Sequence, residues 1–142
     1  MKKIEIDTFL KFRFLSNPHF SPDGTKIAFT VSVPDRETNG YLSDLYLYDL
    51  RKKTVSRVTC AGDAKIWSWT AENTLIFPAA RTASLKKEKE NGTSFFYEIS
   101  PSGGEASCRA SVPASVTGIR LLPDGRYLLT IRHDNYKDTR KK

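Results

Sequence analysis

The sequence predicts an all-β fold, a partial, open β-propeller, and three observations carry that expectation. The first is a unit of aromatic anchor, tight turn and strand, Phe20-Ser21-Pro22-Asp23-Gly24-Thr25-Lys26-Ile27-Ala28-Phe29-Thr30. Pro22 sets φ for the first central turn position, Asp23 tolerates the next, and Gly24 takes positive φ at no steric cost. Ile27, Phe29 and Val31 then alternate with Ala28 and Thr30, the period of a strand with one favoured face. The second is recurrence: Leu121-Leu122-Pro123-Asp124-Gly125-Arg126-Tyr127-Leu128-Leu129-Thr130 repeats the unit, and Trp69-Thr70-Ala71-Glu72-Asn73-Thr74-Leu75-Ile76-Phe77 is a weaker copy, one residue shorter and without Pro or Gly. The third is spacing. The anchors Phe20, Trp69 and Leu121 lie 49 and 52 residues apart, and periods of about 40–50 residues with several strands each mark propeller blades.

The elements follow in order. Residues 1–19 read as a leader in which Asp7 or Thr8 caps a short helix carrying Phe9, Leu10, Phe12 and Phe14. Asn17-Pro18-His19 breaks regular structure before the Phe20 unit. The first blade unit, 20–70, holds strands at 27–34, 43–50, 54–59 and 65–69, with 35–41 a polar loop and Ala61-Gly62-Asp63 a turn. In Ser43-Asp44-Leu45-Tyr46-Leu47-Tyr48-Asp49-Leu50, Leu45, Leu47 and Asp49 face one way and Tyr46, Tyr48 and Leu50 the other. The second unit, 71–122, repeats the grammar with strands at 74–79, 94–99, 105–111 and 116–122. Residues 81–92, with the charge run Leu85-Lys86-Lys87-Glu88-Lys89-Glu90, read as a solvated loop or short extension. Residues 123–142 supply the first strand of a third unit, 126–133, and a polar tail.

Composition bounds the function classes. Apolar residues are 39% and charged residues 27% of 142, a globular balance. No run approaches about 18 apolar residues, so no membrane span is expected. Lys2-Lys3 is not followed by the apolar stretch of a signal peptide, which favours the cytoplasm. The net charge of +7 comes from 23 basic and 16 acidic residues. Its clusters, Lys2-Lys3, Arg51-Lys52-Lys53, Lys86-Lys87 and Arg140-Lys141-Lys142, fall in turns and ends, so a solvated basic surface is expected and no nucleic-acid partner. Cys60 and Cys108 occupy similar places in successive repeats and read as free, reduced thiols.

Motifs for chemistry are weak. Two cysteines and two scattered histidines do not suggest a metal site, and Asp23, Asp44, Asp49 and Asp124 lack calcium-loop spacing. Gly103-Gly104 is a hairpin tip rather than a phosphate cradle, and Asn91-Gly92-Thr93 is a sequon without a signal peptide. Trp67, Trp69, Tyr46 and Tyr48 read as packing within strands rather than as a ligand platform. No catalytic, cofactor-binding or metal residue is assigned, and no cofactor is expected.

A blade cannot bury both faces alone, and arrays are stable because neighbours cover one another. Propellers close with about 4–8 blades. Two blade units and one further strand leave apolar faces uncovered, so the chain is expected to be a piece of something larger or to associate through exposed blade faces. Phe14-Leu15-Ser16-Asn17-Pro18-His19-Phe20-Ser21-Pro22-Asp23-Gly24, Asp44–Leu50, Leu75-Ile76-Phe77-Pro78-Ala79-Ala80-Arg81, Ser94–Ile99 and Gly103-Gly104-Glu105-Ala106 resemble the propeller start of prolyl oligopeptidase-family serine peptidases, in the acylaminoacyl-peptidase or dipeptidyl-peptidase-like branch.

The resemblance implies a hydrolase that cleaves peptides or N-acylated peptides. A propeller would gate access to an α/β-hydrolase domain, and the remaining blades and that domain would be the partners of this segment. The chain departs from the family in one respect: it contains no Gly-x-Ser-x-Gly elbow. His19 and His133 have no such serine to activate, and Asp134 beside His133 is a chance adjacency. The chain alone is therefore expected to be inactive. The alternative is a stand-alone TolB-like propeller scaffold that closes by self-association.

Overall fold

The computed structural model describes residues 6–133. A 3-10 helix, η1 (Ile6–Lys11), is followed by β1 (Phe14–Phe20), β2 (Lys26–Asp35), β3 (Gly40–Asp49), β4 (Thr54–Arg57), β5 (Ser68–Trp69), β6 (Leu75–Pro78), an α-helix α1 (Ala83–Glu90), β7 (Ser94–Ile99), β8 (Ser107–Val112), β9 (Ser115–Leu121) and β10 (Tyr127–Arg132). Three sheets result: β1-β2-β3-β4, β5-β6-β7-β8 and the two-stranded β9-β10, all antiparallel. Each is a meander in which chain neighbours are sheet neighbours, the arrangement of propeller blades. The chain divides into two compact units between Lys65 and Ile66, with Pro101–Gly103 grouped in the first. The first holds the first sheet, and the second holds the other two.

The expected all-β partial propeller is present, with its strands partitioned differently. Residues 65–69 and 116–122 do not close a sheet as fourth strands. Trp69 pairs with Leu75 across the turn, and Leu121 pairs with Tyr127. Phe20 likewise pairs with Ile27, so the strand ahead of each turn opens a sheet. The helix of the leader is of the 3-10 type and stops at Lys11, leaving Phe12 outside it and Phe14 on β1. Asn17-Pro18-His19 does not end regular structure. The strand runs through it with a register shift between Ser16 and His19, taken up by Asn17 at φ 56°; an asparagine tolerates this left-handed backbone better than most residues. The charge run 81–92 contains α1, whose Thr82 caps it by accepting from the Leu85 amide.

Why the first sheet forms is visible in its register. Ala28 pairs with Leu47 and Thr30 with Leu45, and these four are buried. On the other face Phe29 pairs with Tyr46, their rings stacked at 6.0 Å. The leader is held beside this sheet by an Asp7–Arg36 ion pair and by edge-to-face contacts joining Phe9 and Phe14 to Tyr41.

One buried carboxylate organises the return from β4. Asp44 accepts from Arg57 Nη2 at 2.5 Å, from Thr59 Oγ1 at 3.1 Å and from the Gly62 amide at 3.1 Å. Thr59 Oγ1 in turn accepts from the Leu45 amide. The Ser43 amide donates to the Gly62 carbonyl, and the Ala64 amide to the Ser43 carbonyl, both at 2.8 Å. Segment 59–64 is thereby pinned to β3. Gly62 makes this approach possible: its φ is +75°, and a Cβ there would stand 2.9 Å from Leu42 Cδ2.

Two variants report on this pin. Gly62→Ala combines left-handed strain with that contact and is expected to destabilise the first unit by about 1–3 kcal/mol. Asp44→Ala strips the partner from Arg57, which is half exposed, and is expected to cost about 2 kcal/mol, below the range for a fully buried pair. Urea unfolding measures both, and a loss below about 0.5 kcal/mol in either would show that the pin does not hold the segment.

Candidate functional site

A cleft of ≈ 540 Å³ lies in the second unit between β6–β8 and the β9-β10 sheet. Its floor is apolar. Ile76, Phe96 and Val116 form a buried cluster, with Val112, Ile119 and Leu129 packed against it. These residues meet because Ile76, Phe96 and Val112 lie on one face of their sheet, at positions the period of two places together. The corner entering β9 is fixed by Ser94, whose hydroxyl donates to the Ala114 carbonyl at 2.8 Å and accepts from the Val116 amide at 3.0 Å. The Leu121 amide donates to Ser68 Oγ, joining β9 to β5.

The rim of the cleft is polar. Glu98 pairs with Ile76 across the strands and accepts from the Thr74 hydroxyl and from Arg109 Nε, the latter at 2.6 Å. The Thr74 hydroxyl is the main cause that holds the Glu98 carboxyl below its ordinary value; Arg109 adds to this and desolvation opposes it. Across the cleft Tyr127 is pushed up, first by desolvation and then by the negative charges of Glu98 and Glu72. An apolar floor with a self-neutralised ion pair at its edge suits packing against apolar side chains. It offers no nucleophile–base pair.

The residues considered for catalysis do not come together there. His19 lies on β1 in the first unit, its Nδ1 3.2 Å from the Asn17 carbonyl oxygen. His133 follows β10, and Asp134 lies outside the described residues. Cys60 and Cys108 are free and exposed. Asp23, Asp44, Asp49 and Asp124 serve turns and strand links, and among the described residues no cluster of three or more His, Cys, Asp or Glu is placed to hold a metal ion. Tyr46 stacks on Phe29, and Trp67 and Trp69 are buried, so these aromatics belong to packing. Among the described residues no helix is long and apolar enough to cross a membrane.

The repeated turns are the best-defined polar sites. In the first, Asp23 Oδ1 accepts from the Ser21 hydroxyl at 2.6 Å, the Thr25 hydroxyl at 2.9 Å and the Thr25 amide at 3.0 Å. In the third, Asp124 accepts from the Arg126 amide and from Arg126 Nε. The second turn has no aspartate. Thr70 Oγ1 accepts from the Glu72 and Thr74 amides and lies 2.6 Å from Thr74 Oγ1, so a threonine replaces the carboxylate. Sequence reasoning missed the Glu98–Arg109–Thr74 rim. Its signal was the single charged residue in a strand rich in aromatics, Ser94-Phe95-Phe96-Tyr97-Glu98-Ile99.

No protein-family model matches the chain. A curated Bacillus subtilis (strain 168) protein, described as the uncharacterized peptidase YuxL, is 26% identical over 133 residues, or 91% of this chain. The chain spans about a fifth of that relative, 19% of its length. Among solved structures, the acylaminoacyl peptidase of Pyrococcus horikoshii matches 91% of this chain and 19% of its own, with TM-score 0.63 and 18% identity. The β-propeller domain of the Trilobed protease from Pyrococcus furiosus, described as having an open velcro topology, matches 85% of this chain and 34% of its own, with TM-score 0.59 and 15% identity. These likenesses establish the fold as that of a propeller segment.

The acid response of the protein follows from the turn carboxylates. Asp23 is lowered from 3.8 to about 2 by its hydrogen bonds, the Ser21 hydroxyl first. Asp35 is lowered chiefly by the Thr38 hydroxyl, Asp49 by the Lys52 amide, and Asp124 by the Arg126 side chain. A carboxyl with a depressed folded value takes up its proton less readily folded than unfolded. Its contribution is full above the unfolded value of 3.8 and is lost as pH falls through the folded one, about 2 for Asp23. Tm is therefore expected to be flat near neutrality and to fall as pH drops below about 4. In Asp23→Asn that fall should be shallower and Tm lower at neutral pH. Identical Tm-against-pH curves for the two proteins would remove Asp23 from this role.

Proposed function

We propose that the chain is a non-catalytic propeller segment of a serine peptidase that hydrolyses peptides or N-acylated peptides in the cytoplasm, and that the propeller gates access to an α/β-hydrolase domain. The observation that carries this reading is the match over nine-tenths of the chain to a curated peptidase, together with the fold shared with an acylaminoacyl peptidase. The geometry agrees with a supporting role. The polar groups of the turns, and Thr74, Glu98 and Arg109 at the cleft rim, are spent on each other, as structural groups are, and the apolar cleft floor suits packing rather than chemistry. The partners of the segment, on this reading, are further blades and the hydrolase domain.

Purified alone, the chain is expected to leave peptide and acylaminoacyl substrates uncleaved and to take no label from a fluorophosphonate probe. Turnover abolished by that probe would overturn the non-catalytic role. The gate is tested in the full-length Bacillus relative. Deleting the segment that matches this chain should raise hydrolysis of a long unfolded protein relative to a short peptide, with fluorophosphonate labelling retained as the sign of a folded hydrolase domain. An unchanged ratio in a labelled protein would overturn gating.

A further inference from the structure

The face of the first sheet that buries Ala28 and Leu47 turns polar one row further on. In register, Lys26 stands opposite Asp49 and Asp49 opposite Thr54, while Leu47 stands opposite Ser56. Residues two apart on a strand share a face, so Lys26, Asp49, Thr54 and Ser56 stand on the same side as Leu47, which is buried. With Lys52 and Pro101-Ser102, which group with the first unit, they line a hollow of ≈ 380 Å³.

The charges there are unequally committed. Asp49 Oδ1 accepts from the amides of Arg51 and Lys52, at 3.0 and 2.9 Å. The Lys53 amide donates to the Asp49 carbonyl at 2.8 Å, with Lys53 in left-handed backbone at φ 54°. These bonds fix the turn that carries Lys52. The Lys26 ammonium lies 3.9 Å from Asp49 Oδ2, a loose ion pair, and 3.5 Å from Thr25 Oγ1. Asp23, the other carboxylate acting on Lys26, is already held by Ser21 and Thr25. Among the described residues Lys52 has no carboxylate within ion-pair distance. One loosely paired and one unpaired lysine, beside three hydroxyls, make a donor set for an anion with several oxygens: the ammonium groups supply charge and the hydroxyls neutral hydrogen bonds. A carboxylate has two oxygens and engages part of this set, whereas a phosphate group has enough for all of it. We propose that the hollow binds a phosphate group, free or carried by a small molecule, with Lys26 and Lys52 as its charged partners and Thr54, Ser56 and Ser102 as its hydroxyl donors. The volume is that of a small ligand site, and the site does not depend on the peptidase reading.

The probe is inorganic phosphate added to the full chain at constant ionic strength, because exposed charges respond to salt alone. Backbone amide signals of Lys26, Lys52, Thr54, Ser56 and Ser102 should shift together by NMR and saturate with a Kd on the order of 1 mM. Those of Lys86 and Lys87 in α1 should not move. Lys52→Gln, at an exposed turn position whose amide still serves Asp49, should weaken binding about tenfold. Ser102→Ala should weaken it by a smaller factor, and Lys86→Gln should leave it unchanged. Glycerol phosphate binding at least as tightly as inorganic phosphate would identify the ligand as an ester, and weaker binding would identify it as the free ion; both results support the site. Shifts that fail to saturate, equal shifts at Lys86 and Lys87, or the same saturation with acetate would overturn the proposal. So would an unchanged Kd in Lys52→Gln.

Discussion

The constraint on which the rest depends is the left-handed residue in each inter-strand turn. Gly24, Asn73 and Gly125 sit at φ 68°, 60° and 82°, each with its amide donating three residues back, to Ser21, Thr70 and Leu122. That bond closes the turn, and the turn sets which residues face each other on the strands it joins. A slip of one residue would send every side chain to the opposite face, and the Ala28–Leu47 and Ile76–Glu98 pairings would be lost with it. The first turn encloses residues 21–26 between its paired anchors, whereas the other two enclose 70–74 and 122–126. The first and third sequences are the more alike, yet in register the third agrees with the second. Asp23 absorbs the additional residue by gathering both the hydroxyl and the amide of Thr25.

Turns and strands were legible because their signals are local. Pro-Asp-Gly and period-two alternation are written within ten residues, and they located β2, β6, β7 and β10 to within a residue at each end, and β3 to within three. Pairing was not legible. A strand between two turns can join the sheet before it or the one after it, and nothing in Ser68-Trp69 or in Ser115–Leu121 states which. The decision comes from tertiary hydrogen bonds such as Trp69 with Leu75 and from Ser94 holding the Val116 amide, and these depend on residues 6–22 positions away. The same limit explains β1. Asn17-Pro18 carries a breaker's signature, but a strand at a sheet edge tolerates proline because one side of its ladder is free.

The polar rim of the cleft was not legible in the sequence. Glu98 was placed correctly on its strand, yet its role comes from Thr74 and Arg109, which reach it from 24 and 11 residues away. Asp44 is a parallel case. Its period in the strand puts it on the face opposite Leu45, and sequence alone would leave it in water. It is buried because Arg57, Thr59 and Gly62 together satisfy its oxygens, which offsets the cost of taking a polar group out of water. Polar residues inside strands of this chain therefore mark places where a loop is tied down, and their partners are set by the fold.

Those ties also explain how blade-like sheets with so much exposed edge keep a defined register. Sheet stability comes mainly from cross-strand and face-to-face burial, and β1 has little of it: all seven of its residues are exposed. Hydrophobic contact alone would let such a strand slide. Its position is instead set by the Asp23-centred turn at one end and by the leader's aromatic contacts at the other. At β10 only the turn end is set in this way, through Asp124 and Arg126. Register in this fold is thus set at the turns and by the loops tied to them as well as by the faces the sheets bury.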